Sequence, residues 1–394
     1  MASILTVADV VGLLEQRYPP GTAEGWDAVG LVAGDPAAPV RKVVFAVDPV
    51  RAVADEAIAA GADLLVTHHP LYLRGTTTVA ADTPKGRVVH DLIRAGCALY
   101  TAHTNADSAR GGVADALADL LDLRDRRPLT PHDADALDTL TVFVPQDHTT
   151  RVLDALAAAG AGAIGEYDRC AFTVTGQGTF RAGAAANPTI GERGEITEVV
   201  EDRLEMTLPR HRRAAVVAAL RAAHPYEEPA FSVVEHAAQP AGTGIGRVGT
   251  LPAPTTLRAL AEHVAAVLPA TAQGIRVAGD LDAEVRTVAV CGGSGDSLLG
   301  TVRAIGADVY LTADLRHHPA SEALEAGPPY LIDATHWASE WPWLPVAAAR
   351  LEEDARAAGA VLRTVVSRTV TDPWTLRLGA PDNGRTDDTE GAAQ

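Results

Sequence analysis

Three short stretches of this chain gather side chains that bind cations and move protons. ADLLVTHHP (62–70) ends in His68 and His69, CALYTAHTNAD (97–107) in His103, Asn105 and Asp107, and PYLIDATHWASE (329–340) in His336 and Glu340. Each begins as an apolar, β-forming run, the pattern of a buried parallel strand, and only then turns polar. Open parallel sheets bind ligands just beyond the carboxyl ends of their strands, and all three clusters fall there. A lone histidine at a strand end is usually structural; the coincidence of three such ends is what makes a site. Imidazoles and carboxylates without a thiolate suit zinc, iron, manganese, nickel or cobalt. His336 and Glu340 stand i, i+4, so a helix starting after Ala334 turns both toward one point. His68, His69, Asp107, His336 and Glu340 are more donors than one closed tetrahedral ion takes. They suit two divalent ions with positions left open for a substrate. His103 has three possible roles: a sixth ligand, an orienting neighbour or a proton carrier.

Other motifs are weaker. CGGSGDS (291–297) follows a strand and has backbone N–H groups for an anion, but it lacks the Gly-Lys-Ser/Thr ending of a P-loop and reads better as a tight turn. GTGIGRVG (242–249) contains G-x-G-x-x-G, yet Pro252 and Pro254 follow, so no helix opens to receive a pyrophosphate. Arg74, just past the histidine pair, is a candidate phosphate contact, against the alternative of an ordinary surface arginine. Glu227 and Glu228, in HPYEEPAF (224–231), read as a solvated turn rather than an acid/base pair. His317 and His318 read as surface or supporting residues.

The elements that must hold these residues repeat. VVFAV, a helical stretch and GADLLVT (43–67) recur as VAVCG, a helical stretch and GADVYLT (288–312). Gly61 and Gly306, and Thr67 and Thr312, are both 245 residues apart, so the register holds without a gap. Strand–helix–strand followed by a further strand is the pattern of a helix-covered parallel sheet. Between the copies the order is strand, helix, strand, strand, helix, strand, the ferredoxin-like unit. The predicted fold is therefore α/β: a duplicated parallel-sheet, discontinuous domain (1–133 and 241–376) carrying an inserted ferredoxin-like α+β domain (134–240). The polar, Gly-rich tail, 377–394, is expected to be disordered.

Composition narrows the function. Of 394 residues 47% are hydrophobic, enough for large cores, while 33 basic residues against 51 acidic ones leave a formal charge of −18. That charge favours solubility and disfavours nucleic acid and anionic lipid as partners. Cys97, Cys170 and Cys291 form no C-x-x-C, so neither a disulfide framework nor a thiolate zinc knuckle is expected. The first twenty residues read as an amphipathic helix, with Val7, Val10, Val11 and Leu14 on one face and Pro19-Pro20 as the stop, rather than as a leader. No run approaches the ~20 apolar residues of a membrane span. The expected compartment is the cytoplasm.

At these residues the sequence resembles the Nif-three-like dinuclear-metal family, whose bacterial members are called GTP cyclohydrolase 1 type 2 homologues. The markers are WDAVGL (26–31), THHP (67–70), AHTNAD (102–107), GGVADAL (111–117), HPYEEPAF (224–231), GIGRVG (244–249), DATHWASE (333–340) and TDPW (371–374). The resemblance implies two divalent ions on His68, His69, Asp107, His336 and Glu340, and a toroidal homohexamer with its metal sites facing an inner cavity. It also implies a mid-chain insert similar to PII and CutA. The activity it implies is metal-dependent hydrolysis of a small, nucleotide-like substrate, opening a purine imidazole ring at C8. His103 would then carry a proton and Arg74 hold phosphate. The rival reading is a metal-loaded, ring-shaped regulatory scaffold without turnover. Ala28, Ala106 and Thr335 depart from the family's usual Asn, Leu and Gly; none removes a ligand, and Thr335 with Trp337 would narrow the rim.

Overall fold

The computed structural model describes residues 3–378; the rest of the predicted tail lies outside them. The chain divides into two compact units, one of residues 1–132 with 242 onward, the other of residues 133–241.

The first unit holds two sheets. The five-stranded sheet has the order Arg363–Val366, Lys42–Ala46, Leu64–Thr67, Ala98–Thr101, Gly30–Ala33. The first four strands are parallel and the last is antiparallel. Leu64, Leu65, Val66 and Thr67 are all fully buried, because helices cover both faces of the sheet. Val43, Phe45, Leu64 and Val66 pack against Val7, Val10 and Leu14 of the helix Val7–Arg17 and against Trp343, Leu344 and Ala347 of Trp343–Ala357. Val44, Ala46 and Leu65 point the other way, onto the helices Arg51–Ala59 and Pro84–Ala95. The first helix starts where the sequence allows. Thr6 accepts a hydrogen bond from the Asp9 N–H at 3.2 Å, and the Asp9 carboxylate accepts from the Thr6 N–H at 2.8 Å, a reciprocal cap. Val11 is half-buried beside the same core.

The six-stranded sheet has the order Arg276–Ala278, Tyr330–Ala334, Val309–Ala313, Glu284–Ser294, Arg247–Thr256, Arg124–Arg127. Only its three inner strands Glu284–Ser294, Val309–Ala313 and Tyr330–Ala334 run parallel; the flanking ones are antiparallel. The expectation of parallel sheets thus holds for four of the five strands of the first sheet and for the three inner strands of the second, and fails at the remaining flanking strands. The edge strands escape a periodicity reading because little of them is buried: Arg124–Arg127 is RDRR and wholly exposed.

The second unit is a four-stranded antiparallel sheet, ordered Phe172–Arg181, Ile196–Pro209, Leu137–Pro145, Phe231–Glu235. Leu140, Val142, Val144, Leu204, Met206 and Leu208 line one face and bury Val152, Leu156, Val216 and Leu220 of the helices Thr149–Ala158 and Arg213–Ala223.

Candidate metal centre

The carboxyl ends of the two sheets in the first unit face each other, and the histidines meet between them. After Thr67 the chain keeps the strand's direction for two more residues: His68 N–H donates to the Ala46 carbonyl (3.1 Å) and His69 N–H to that of Val47 (2.8 Å). The two rings stay side by side beyond the strand end, their centroids 5.1 Å apart. His103 leaves the end of Ala98–Thr101, and Asp107 sits one turn on in the short helix Thr104–Ser108. From the other sheet, Tyr330–Ala334 feeds the helix His336–Glu340, which presents both its terminal side chains at the expected i, i+4 spacing.

Every one of the four imidazoles is held by its Nδ1. His68 Nδ1–H donates to the Ala102 carbonyl (3.0 Å), His69 to Asp48 (2.7 Å), His103 to Asp27 (2.8 Å) and His336 to Asp314 (2.6 Å). These partners can only accept, so the Nδ1 atoms carry the protons and the Nε2 atoms are left to converge. His69 Nε2 and His336 Nε2 lie 3.2 Å apart. Glu340 stands in the middle: its Oε1 is 3.0 Å from His336 Nε2 and 3.5 Å from His68 Nε2, and its Oε2 is 3.1 Å from His69 Nε2. Asp107 Oδ1 is 3.6 Å from His68 Nε2. Ligand atoms gather in two groups that share His69: His68, His69 and His103, and His69, His336 and Glu340, each within 4.8 Å. Asp107 borders the first group.

The donors fit a divalent cation. His68 Nε2 and Glu340 Oε2 are buried and have no hydrogen-bond partner, a state native interiors avoid unless another group completes them. The 3.2 Å between His69 and His336 Nε2 also matches the roughly 3.0–3.4 Å expected of two nitrogens on one ion at about 2.1 Å.

Electrostatics agree. Burial opposes charge on His69, yet the Glu340 and Asp48 carboxylates prevail and hold its pKa up at about 10. Partial burial opposes charge on His336 as well, but Glu340 and Asp314 carry it to about 11. Burial would raise Glu340, but His69, His336 and His68 keep it well below the ordinary carboxylate range. Asp107 goes the other way, raised by burial that its histidine neighbours only partly offset.

The second sheet contributes glycines that the sequence reading took for a plain turn. Gly293 has φ +67°, and a Cβ there would stand 2.4 Å from Glu340 Oε1 and 3.0 Å from His336 Nε2. Its N–H donates to Ser339 Oγ at 2.9 Å, and its carbonyl accepts from the Thr312 hydroxyl at 3.0 Å. The missing side chain therefore makes room for Glu340. The three supporting aspartates were also missed. Asp48 and Asp314 stand just past the strands Lys42–Ala46 and Val309–Ala313, where a carboxylate after a strand end is the available signal; Asp27, inside WDAVGL, precedes its strand.

A cavity of about 480 Å³ opens onto His69, His103 and His336, with Leu73, Trp337 and Trp374 among its walls. Thr335 also lines it, buried, its hydroxyl 3.2 Å from that of Thr271. Arg74 is exposed and is not among the side chains lining this cavity. Asn105 is wholly buried and donates to the Tyr18 carbonyl (2.8 Å), holding the helix rather than the cluster. His317 and His318 are exposed, and GTGIGRVG runs through the strands Pro240–Ile245 and Arg247–Thr256 with no helix opening in it.

Among the described residues no helix is long and apolar enough to cross a membrane. The family model for Duf34/NIF3 (NGG1p interacting factor 3) matches residues 5–373. A Mycobacterium tuberculosis GTP cyclohydrolase 1 type 2 homolog is 51% identical over 371 residues, covering 94% of this chain and 97% of that one. A relative of the same name from Bacillus subtilis is 39% identical, covering 86% and 90%. Among solved structures, a Bacillus cereus protein related to NIF3 superposes with a TM-score of 0.75 at 35% identity, covering 95% of this chain and all of that one. A Staphylococcus aureus protein superposes with 0.82 at 27%, covering 95% and 99%. With a matching family model along nearly its whole length and relatives above half identity, the chain belongs to the Duf34/NIF3 family.

Proposed function

We propose that the chain is a dinuclear metal-dependent hydrolase of a nucleotide-like small molecule. The observation that carries this reading is the set of four imidazoles, each pinned at Nδ1, whose free Nε2 atoms share one pocket with Glu340 and Asp107. His68, His69, Asp107, His336 and Glu340 would hold two divalent ions. Ions held there supply Lewis acidity and lower the pKa of a water toward ~7. His103 is then the proton carrier at the rim, its Nε2 facing the pocket while Asp27 fixes its Nδ1. Trp374 and Trp26, both more than half exposed near His103, offer flat faces to a heterocycle. Arg74, outside the cavity wall, is kept as a contact for a phosphate that extends beyond it.

The same reading takes the two sheets as copies of one strand–helix–strand unit and the second unit as a ferredoxin-like, PII/CutA-like insert. It assigns a cytoplasmic homohexamer. The 245-residue register, the parallel centres of both sheets and the antiparallel four-stranded sheet with two helices support the duplication and the ferredoxin-like insert.

The test is metal analysis of the purified protein followed by a turnover screen over nucleotides, phosphoesters and cyclic amides. About two ions per chain and a turnover abolished in Asp107→Ala are expected. His103→Ala should lower kcat by ~10²-fold or more with metal retained, and Arg74→Ala should raise KM for phosphorylated substrates alone. Full metal loading with no metal-dependent turnover of any screened compound would replace the hydrolase by a scaffold.

A further inference from the structure

The second unit has a cavity of its own, about 580 Å³, within the range that holds small molecules. It lies on the sheet face turned away from the two helices. Phe143, Phe180 and Tyr226 form ring walls, the last two edge to face with centroids 6.0 Å apart. The Tyr226 segment is fixed by its neighbour: Tyr226 N–H donates to His224 Nδ1 (3.0 Å), and His224 Nε2–H donates to the Phe143 carbonyl (2.9 Å).

Charge in this cavity is unbalanced. Glu201, Glu227 and Glu228 line it with one cation, Arg203, which is already ion-paired with Glu205. Glu227 accepts from the Asn187 N–H at 3.1 Å, tying the lining segment 186–189 to the turn that holds Tyr226. Glu201 lies across Gly178, where a Cβ would stand 2.0 Å from its carboxylate oxygen, and has no Lys, Arg or His within ion-pair distance among the described residues. Beside it stands the buried Tyr226 hydroxyl, whose pKa is raised first by burial and then by its contact with the Glu201 carboxylate. Ring faces attract cations through their quadrupole, and a half-buried carboxylate without a partner is relieved by one. An anion would meet three carboxylates.

We propose that this cavity binds a small organic monocation, an amine or amidine with a flat or apolar body, using Glu201 as counter-charge and Phe143, Phe180 and Tyr226 as walls. Nothing in the metal centre supplies this site, since every lining residue falls between 143 and 230.

Benzamidine, benzamide and benzoate share a shape and differ in charge, so the full-length, metal-loaded protein can be titrated with each by calorimetry and ligand-observed NMR. Saturable benzamidine binding is expected, with the neutral and anionic probes at least about tenfold weaker. Glu201→Gln should weaken benzamidine about tenfold or more with bound metal unchanged, and Phe143→Ala, which leaves the charge in place, should weaken it as well. Chelating the metal should leave the affinity as it was. No saturation at millimolar benzamidine, equal binding of all three probes, loss of binding on metal removal, or a Glu201→Gln protein that binds as before would each overturn the proposal.

Discussion

Asp48, Asp27 and Asp314 each receive the Nδ1–H of one histidine, and none was among the residues that sequence reasoning singled out. Their work is to fix a tautomer and a ring orientation, so their loss should act through affinity. Asp48→Asn or Asp314→Asn is expected to weaken metal binding by ~10–100-fold while leaving the ligands in place, read by competition with a chromophoric chelator. Unchanged affinity in both would remove the orienting role. The same residues set a pH dependence. Without an ion, His69 and His336 are raised to about 10 and 11 by Glu340 and their aspartates. Protonated imidazole therefore favours the folded metal-free chain, fully below about pH 6.5 and progressively less as pH climbs to about 10. A cation must displace those protons, so its affinity should rise with pH over that window. Calorimetry in two buffers of different ionisation enthalpy should report proton release on loading, and the melting temperature of the metal-free protein should fall from pH 7 to pH 10.

At the scale of elements, the glycine-rich end of the strand Glu284–Ser294 shapes the centre. Gly293 occupies the left-handed region and gives its missing side chain's volume to Glu340. Gly293→Ala should cost about 1–3 kcal/mol from backbone strain and lower metal occupancy by pushing the carboxylate aside. Gly300→Ala is the matched control: it lies in the helix Leu299–Ile305 with open space around it, so it should be neutral or stabilise by up to about 1 kcal/mol. Equal metal content in the two variants would show that Gly293 is only a turn.

For the whole molecule, the strands Thr130–Asp133 and Pro240–Ile245 pair as a two-stranded sheet, so the chain leaves for the second unit and returns at neighbouring points. Closing that gap needs only a short loop. Replacing 134–240 by a brief Gly/Ser linker should leave a folded chain with its metal, because every proposed ligand lies in the first unit. A folded but metal-free product, by circular dichroism and elemental analysis, would mean the insert shapes the centre.

What the sequence alone determined follows from burial. Strands such as Leu64–Thr67 are hidden on both faces, so they must be written as unbroken apolar runs, and the first polar residues after them mark the sheet's ligand-binding edge. His68, His69, His103, His336 and Glu340 were legible for that reason, and the helix from Val7 for the spacing of its apolar face and its Pro19-Pro20 stop. Edge strands such as Arg124–Arg127 bury nothing and left no pattern. Tertiary structure alone decided that the two sheets meet end to end. That juxtaposition puts His69 against His336 across 267 residues of chain, while neighbouring strand ends within each sheet give every ring its Nδ1 partner, 21 to 76 residues away. Such pairings depend on direction and distance in space, and no local rule of composition or period records them.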